Sequence, residues 1–386
     1  MSRRHNDIIA YRKKQKIKKF LKNLIVFAAL STAGALIVLN AEIIFEPLNG
    51  IGSRIESKTS SAKGFPVYLP GSAEYSFYEF DNNFILLTDT YLYNYEQTGA
   101  QSYAFQHGYG TPVILAGDSR ILLYNHNSTE YSIFNRGSRI NYGETEQKII
   151  GAFIGEGDMS GIVTASKRYS NELYVYDRNG AQRFIRRFID ENVSGVDFSG
   201  DGSYVYISTV KAINGSNHSM LQKFSLKNEE NAVWSYSLPF NSWTLKVKAN
   251  GPFINLIGDN SFVTLESETG DLVGSYEYDG GIKSAVFGDD FHVLVVHDNV
   301  SNDNILITLD QESSVISTKI MSANLKQVEI FENMVYTLEG GFIRYYDKNL
   351  KELGEHRLAE EYDGFIVIGN SAFLLGFDVV EKIELS

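Results

Sequence analysis

The sequence predicts an all-β protein, an eight-bladed β-propeller preceded by one transmembrane helix. Three observations lead to this prediction. Downstream of residue 64, short runs of alternating apolar residues occur in place of any helical periodicity. A turn rich in Gly, Asn and Asp recurs eight times, at intervals of 36 to 49 residues. The two ends of this repeat region carry incomplete units that complement each other.

The first segment, residues 1–22, is strongly basic, with nine Lys and Arg residues against Asp7 alone. We predict a cytoplasmic tail, because basic residues accumulate on the cytoplasmic side of a membrane span. Ile17, Phe20 and Leu21 lie at helical spacing, which leaves open a second role as an amphipathic helix on anionic lipid. The bases predicted to set topology or to face lipid are Arg12, Lys13, Lys14, Lys16, Lys18, Lys19 and Lys22.

Residues 23–45 are predicted to form the transmembrane helix. The uncharged stretch 23–41 is nineteen residues long and would span about 28 Å as a helix, close to the hydrocarbon thickness of a bilayer. Bases precede this span and acids follow it, so we expect a single-pass cell-membrane protein with its N-terminus in the cytoplasm and its body outside. The alternative is a signal peptide cleaved after Ala41, but the bulky Leu39 stands where a small residue is preferred.

A linker is predicted over residues 46–64, since Arg54–Gly64 is polar and rich in small side chains. The extracytoplasmic propeller is then predicted over residues 65–386. Each of its units begins with a strand, a tight turn and a second strand, as in Ser194–Thr209. Gly, Asn and Asp suit such turns because they tolerate positive φ. A period near forty residues with four short strands is typical of propeller blades.

The ends of the repeat region predict how the ring closes. The last unit has only three strands before Ser386, and one spare strand, Phe65–Leu69, precedes the first unit. Pairing the spare strand with the last unit would close the ring three-plus-one and remove exposed sheet edges. Eight blades follow from this count. Seven blades remain the alternative, because the insertion Ile213–Ser219 obscures the fourth unit.

The segment SGVDFSGDGSYVYIST, Ser194–Thr209, resembles the strand–turn–strand of WD40-like and YVTN-type propellers. The segment LESETGDLVGSY, Leu265–Tyr276, is similar to the outer hairpin of quinoprotein-type repeats. A basic tail, a single span and an acidic propeller together resemble a family of uncharacterised membrane-anchored propeller proteins of Firmicutes. These resemblances imply the fold and carry no implication for an activity or a cofactor.

Charge and composition exclude several classes of function. The chain has a net charge of −12, and because the tail is basic, the remaining residues are more acidic still. We therefore predict no nucleic-acid partner, since phosphate binding needs a basic face. The chain has no cysteine, which excludes disulfides, thiolate metal sites and a cysteine nucleophile.

No motif predicts a catalytic, metal or cofactor site. The histidines lack metal-ligand spacing, and His292 and His297 are expected to be structural or solvent-exposed. Gly155–Gly161 misses the spacing of a dinucleotide-binding loop and is predicted to be a hairpin turn. Asp197 and Asp201 are assigned to turn chemistry in preference to calcium binding.

We therefore expect a non-catalytic interaction scaffold in the cell envelope, with an envelope protein as its partner. A hydrolase or lactonase acting in the central channel is a second hypothesis, and it requires inward carboxylates and histidines with a perturbed pKa. A sensor for a ligand or an ion is a third hypothesis. The short basic tail weakens it, because residues 1–22 leave no room for an output domain.

Overall fold

The computed structural model describes residues 64–70, 75–238 and 242–385, and these residues form an all-β fold of eight four-stranded antiparallel sheets. The predicted tail, the predicted transmembrane helix and all but the last residue of the predicted linker lie outside the described residues. Within the described ranges, no helix combines the length and apolarity needed to cross a membrane.

Each sheet is one blade, and in blades 1 to 7 four consecutive strands pair in chain order. Blade 1 has β2 (Ser76–Phe80), β3 (Asn83–Leu87), β4 (Tyr91–Glu96) and β5 (Gln101–Gln106). Blade 2 has β6 (Pro112–Ala116), β7 (Ile121–Asn125), β8 (Glu130–Phe134) and β9 (Arg139–Glu144). Blade 3 has β10 (Ile149–Ile154), β11 (Ser160–Thr164), β12 (Asn171–Tyr176) and β13 (Gln182–Phe188), with a 3-10 turn at Glu156–Asp158.

The remaining blades repeat this plan. Blade 4 has β14 (Asn192–Phe198), β15 (Tyr204–Ile213), β16 (Ser216–Ser225) and β17 (Asn228–Ser237). Blade 5 has β18 (Thr244–Asn250), β19 (Phe253–Gly258), β20 (Ser261–Glu266) and β21 (Leu272–Glu277). Blade 6 has β22 (Gly281–Phe287), β23 (Phe291–His297), β24 (Asn304–Asp310) and β25 (Val315–Met321). Blade 7 has β26 (Leu325–Phe331), β27 (Met334–Glu339), β28 (Phe342–Tyr346) and β29 (Glu352–Arg357).

Blade 8 joins the two ends of the repeat region, as predicted. It contains β30 (Gly364–Ile368), β31 (Ser371–Leu375) and β32 (Val379–Glu384) from the C-terminus and β1 (Val67–Tyr68) as its outermost strand. Strand β1 is antiparallel to β32, with Val67 opposite Val380. Eight blades and the three-plus-one closure are thereby confirmed, and the seven-bladed alternative is wrong. The Ile213–Ser219 segment forms the tip and part of the second strand of a long hairpin in blade 4.

The tight turns adopt the conformation that their residue types predict. Asn82 has φ 58° and Gly202 has φ 65°, values in the left-handed region that Asn and Gly occupy at low cost. The side chain of Asp201 accepts hydrogen bonds from Ser199 Oγ and from the backbone N–H of Ser203. The assignment of Asp201 to turn chemistry is thus confirmed.

The hydrophobic core lies between neighbouring blades. At the closure, Phe84 of blade 1 packs against Phe373 of blade 8 with ring centroids 5.4 Å apart, and it stacks on Tyr95 at 5.2 Å. Full burial of such a side chain contributes about 1.5–3 kcal/mol, so these contacts hold the first and last blades together.

Because every blade is an up-and-down meander, the ring has two distinct faces. The turns that follow the first and third strands of each blade form what we name the turn face. There, Asp158 accepts a hydrogen bond from the backbone N–H of Ser119 in the neighbouring blade, and Gly64 lies against Gly99. The connections that follow the second and fourth strands form the opposite side, which we name the loop face. The described chain therefore enters the propeller on the turn face.

Candidate functional site: the central channel and the loop face

The first strands of the eight blades surround a central channel. Contacts connect these strands around the ring, from β2 through β6, β10 and β14 to β18, and from β22 through β26 and β30 back to β2. Two adjoining cavities occupy the channel, one of about 620 Å³ and one of about 390 Å³. Glu329 lines both of them. Volumes of this size fit a small ligand.

Glu329 is held in place by a fixed hydrogen-bond network. Gln327, on the same strand, donates from Nε2 to Glu329 Oε1 at 2.7 Å and to the carbonyl oxygen of Phe365 at 2.8 Å. The Oε1 of Gln327 accepts a hydrogen bond from the backbone N–H of Phe365 at 3.0 Å. Burial raises the pKa of Glu329, and the nearby carboxylate of Glu79 raises it further, against the opposing effects of Gln327 and Lys246.

Glu79 and Lys246 line the channel on either side of Glu329. Glu79 belongs to the smaller cavity and Lys246 to the larger one. The enclosing protein raises the pKa of Glu79 by desolvation, although water reaches the side chain through the channel. Desolvation also lowers the pKa of Lys246, with Lys248 adding repulsion. The ammonium of Lys246 lies 5.1 Å from the centroid of the Phe287 ring.

Asp197 connects blades 4 and 5 at the wall of the channel. It is only 3% exposed, and its two carboxylate oxygens accept the backbone N–H groups of Phe198 and of Ala249 in the next blade. Its other neighbour is Lys248, at 3.9 Å. Burial raises the pKa of Asp197 to about 6 despite these partners. The expectation that Asp197 belongs to a turn is wrong: it lies within β14 and bridges two inner strands.

The loop face carries large apolar side chains that the fold leaves in water. Val300 is 95% exposed and Phe377 is 79% exposed, and each lies in a connection between the second and third strands of its blade. Ile189 and Trp243 are also exposed, in connections between blades. Single exposed apolar residues are ordinary, but the connections of this one face carry several, so the loop face is a candidate contact surface.

The model of a protein family described as "Family of unknown function (DUF5711)" matches residues 68–385. The chain belongs to this family. The match covers almost the whole described propeller, so strands of all eight blades of this DUF5711 protein lie within the matched region. No curated protein is significantly similar to the chain.

Solved structures share the fold of this DUF5711 protein at very low sequence identity. BamB from Moraxella catarrhalis aligns with a TM-score of 0.55 and 11% identity, over 84% of this chain and 99% of its own. Sqt1 from Saccharomyces cerevisiae aligns with a TM-score of 0.62 and 7% identity, over 85% and 100%. The C-terminal WD40 domain of Sif2 aligns with a TM-score of 0.59 and 10% identity, over 84% and 98%. The predicted WD40-like propeller is confirmed, and likeness at these identities is evidence of fold alone.

The histidines singled out in the sequence do not line the channel of the DUF5711 protein. His292 is fully buried beside Phe262 and Phe287, and neither ring nitrogen has a partner with hydrogen-bond geometry among the described residues. Burial lowers the pKa of His292 to about 4, against an opposing effect of Gln311. Gly155 and its neighbours form the predicted turn between β10 and β11.

In the described ranges, no group of three or more His, Asp or Glu side chains could hold a metal ion. A hydrolase acting in the channel was expected to need both carboxylates and histidines facing inward. Of the described residues, those that line the cavities of the DUF5711 protein include carboxylates but no histidine. Glu79, Glu329 and Lys246 were not singled out from the sequence. The sequence feature that could have identified them is a charged residue within the first strand of a blade, because that strand lines the channel.

Proposed function

We propose that this DUF5711 protein is a non-catalytic interaction scaffold in the cell envelope, which uses its loop face to bind another envelope protein. In this proposal, residues 23–45 span the cell membrane once and the propeller lies on the extracytoplasmic side. The exposed apolar residues of the loop face are the observation that carries it. A propeller supplies a rigid frame for such loops, and binding residues are concentrated on loops held by rigid scaffolds.

The geometry favours the loop face over the turn face for a partner. Val300 and Phe377 extend from connections rather than from strands, so the packing between blades does not require them. Burying apolar side chains of this size against a partner contributes about 1.5–3 kcal/mol each when burial is complete. The chain enters the propeller on the opposite face, so the loop face is clear of residue 64.

The test is cross-linking of the full chain in membranes of cells that express it, followed by mass spectrometry. The test variant replaces Ile189, Trp243, Val300 and Phe377 with Ser. The control variant replaces three exposed apolar residues at the turn-face end of outer strands, Leu272, Val315 and Leu353. We expect specific partners to be lost from the first variant and retained by the second. Retention by both variants, or no specific partner of the wild type, would contradict the proposal.

The topology has a separate test that uses the absence of cysteine. Ser2→Cys and Val315→Cys each create one reactive thiol in an otherwise thiol-free chain, and the exposed Val315 lies away from the loop face. A maleimide that does not cross membranes should label Val315→Cys in intact cells and Ser2→Cys only after lysis. Labelling of Val315→Cys only after lysis would overturn the extracytoplasmic placement and with it the envelope setting of the proposal, whereas binding through the loop face is decided by the cross-linking experiment.

A further inference from the structure

Three charged side chains form an arc along one half of the channel wall, and we name them the channel arc: Lys246, Glu329 and Glu79. In ring order the strands concerned are β18, β22, β26, β30 and β2. Lys246 of β18 extends over Phe287 of β22, and Glu329 follows on β26. The apolar strand β30 then separates Glu329 from Glu79 on β2.

Within the described residues, no member of the channel arc has an ion-pair partner within 4 Å. Among the described residues, Glu79 has neither a hydrogen-bond donor nor an ion-pair partner. Lys246 has the ring of Phe287 as its neighbour. No carboxylate of the described residues lies within ion-pair distance of its ammonium group. Glu329 receives one hydrogen bond from Gln327. By contrast, the neighbouring Lys248 lies within 4 Å of both Glu156 and Asp197.

The central member of the arc, Glu329, is preorganised, because it cannot turn away from the channel without losing a hydrogen bond. Gln327 is fixed to both backbone groups of Phe365, and this amide in turn holds one oxygen of Glu329. Glu79 and Lys246 belong to strands in the innermost layer, so their backbones are equally fixed. A side chain held as Glu329 is held loses less conformational entropy on binding a ligand than a free side chain does.

We propose that the channel binds a small zwitterionic molecule, with an ammonium group between Glu79 and Glu329 and an acidic group at Lys246. An ammonium offers three donors, and two carboxylates on either side of an apolar strand provide acceptors in a partly desolvated place. The two adjoining cavities hold a molecule of this size. A divalent cation fits less well, because the arc supplies two carboxylates and places a lysine beside them. The inference concerns the channel and is independent of the loop face.

The probes are three six-carbon molecules that differ in their charged ends: 6-aminohexanoate, hexylamine and hexanoate. Each is titrated into the purified full chain by isothermal titration calorimetry at low ionic strength. We expect 6-aminohexanoate to bind at least tenfold more tightly than either of the other two. Absence of binding by 6-aminohexanoate, or equal binding of hexylamine, would overturn the proposal.

Variants of the arc locate the site. Glu79→Gln and Glu329→Gln should each weaken 6-aminohexanoate at least tenfold, and Lys246→Met should reduce its affinity to that of hexylamine. Glu312→Gln, in an exposed turn between β24 and β25, makes the same change in net charge outside the channel and should leave binding unchanged. Unchanged binding in the two channel carboxylate variants, with thermal unfolding like that of the wild type, would overturn the assignment.

Discussion

Two buried titratable groups should influence the acid stability of this protein in opposite directions. His292 is fully buried, and burial lowers its pKa from 6.5 to about 4. Below about pH 6.5 the unfolded chain therefore binds a proton that the folded chain does not bind. Stability linked to His292 is complete above its unfolded pKa and is lost as the pH falls toward about 4. At about 1.4 kcal/mol per pKa unit, the loss reaches about 3 kcal/mol at about pH 4.

Asp197 acts with the opposite sign, because burial raises its pKa from 3.8 to about 6. Between these two values the folded chain binds a proton that the unfolded chain does not bind. The folded state is therefore stabilised as the pH falls through about 6, by about 2 kcal/mol at about pH 4. In the wild type the two contributions largely cancel over this window.

Substitution should separate the two contributions. His292→Leu removes the acid-destabilising group, and Asp197→Asn removes the acid-stabilising one. Relative to the wild type, the free energy of unfolding of His292→Leu should rise as the pH falls from about 7 to about 4, by about 3 kcal/mol. That of Asp197→Asn should fall by about 2 kcal/mol over the same window, beyond any pH-independent change caused by its altered hydrogen bonds.

The assay is urea unfolding followed by tryptophan fluorescence at a series of pH values, on the wild type, both single variants and the double variant. Other titratable groups are common to all four proteins, so differences between the proteins isolate the two sites. The double variant should return close to the wild-type pH dependence. A His292→Leu variant whose stability difference from the wild type does not change with pH would refute the assignment of His292 as a buried neutral base.

Three further predictions on the closure and the blade contacts are tested by urea unfolding. Phe84→Ala should lower the free energy of unfolding by about 3–5 kcal/mol, as for other buried aromatics, and a loss below about 1 kcal/mol would contradict its role at the closure. Val67→Asp should cost more than about 2 kcal/mol because Val67 is buried, whereas Tyr68→Asp on the exposed side of the same short strand should be nearly neutral. Gly270→Ala should cost about 1–3 kcal/mol, since Gly270 has φ 77° and its missing Cβ would lie against the ring of Trp234. An unchanged unfolding midpoint would exclude that contact.

The strand boundaries and the turns could be predicted because their causes are local. Alternation of apolar residues determines which face of a strand is buried, and Gly, Asn and Asp determine where a turn can take positive φ. The eight-bladed count also followed from the chain, because three strands at one end and one at the other complete a single blade. Tyr93 and Tyr95, at alternating positions on β4, are buried in the same core cluster as Phe84, and the intervening Asn94 is buried as well.

The channel arc could not be predicted, because its members are brought together by closure of the ring. Glu79 and Glu329 are 250 positions apart, and each looks like an ordinary solvated acid in its own strand. Asp197 was misassigned for a similar reason: one of the two backbone N–H groups that it accepts belongs to Ala249 in the next blade.

By itself, the sequence determined the fold class, the period of the repeat and the way the ring closes, since these depend on local patterns and on a count of strands. Tertiary structure alone decided which side chains share the channel, which carboxylates are desolvated and which face presents apolar loops. The physical reason is that burial and charge–charge interactions depend on distances through space between residues far apart in the chain.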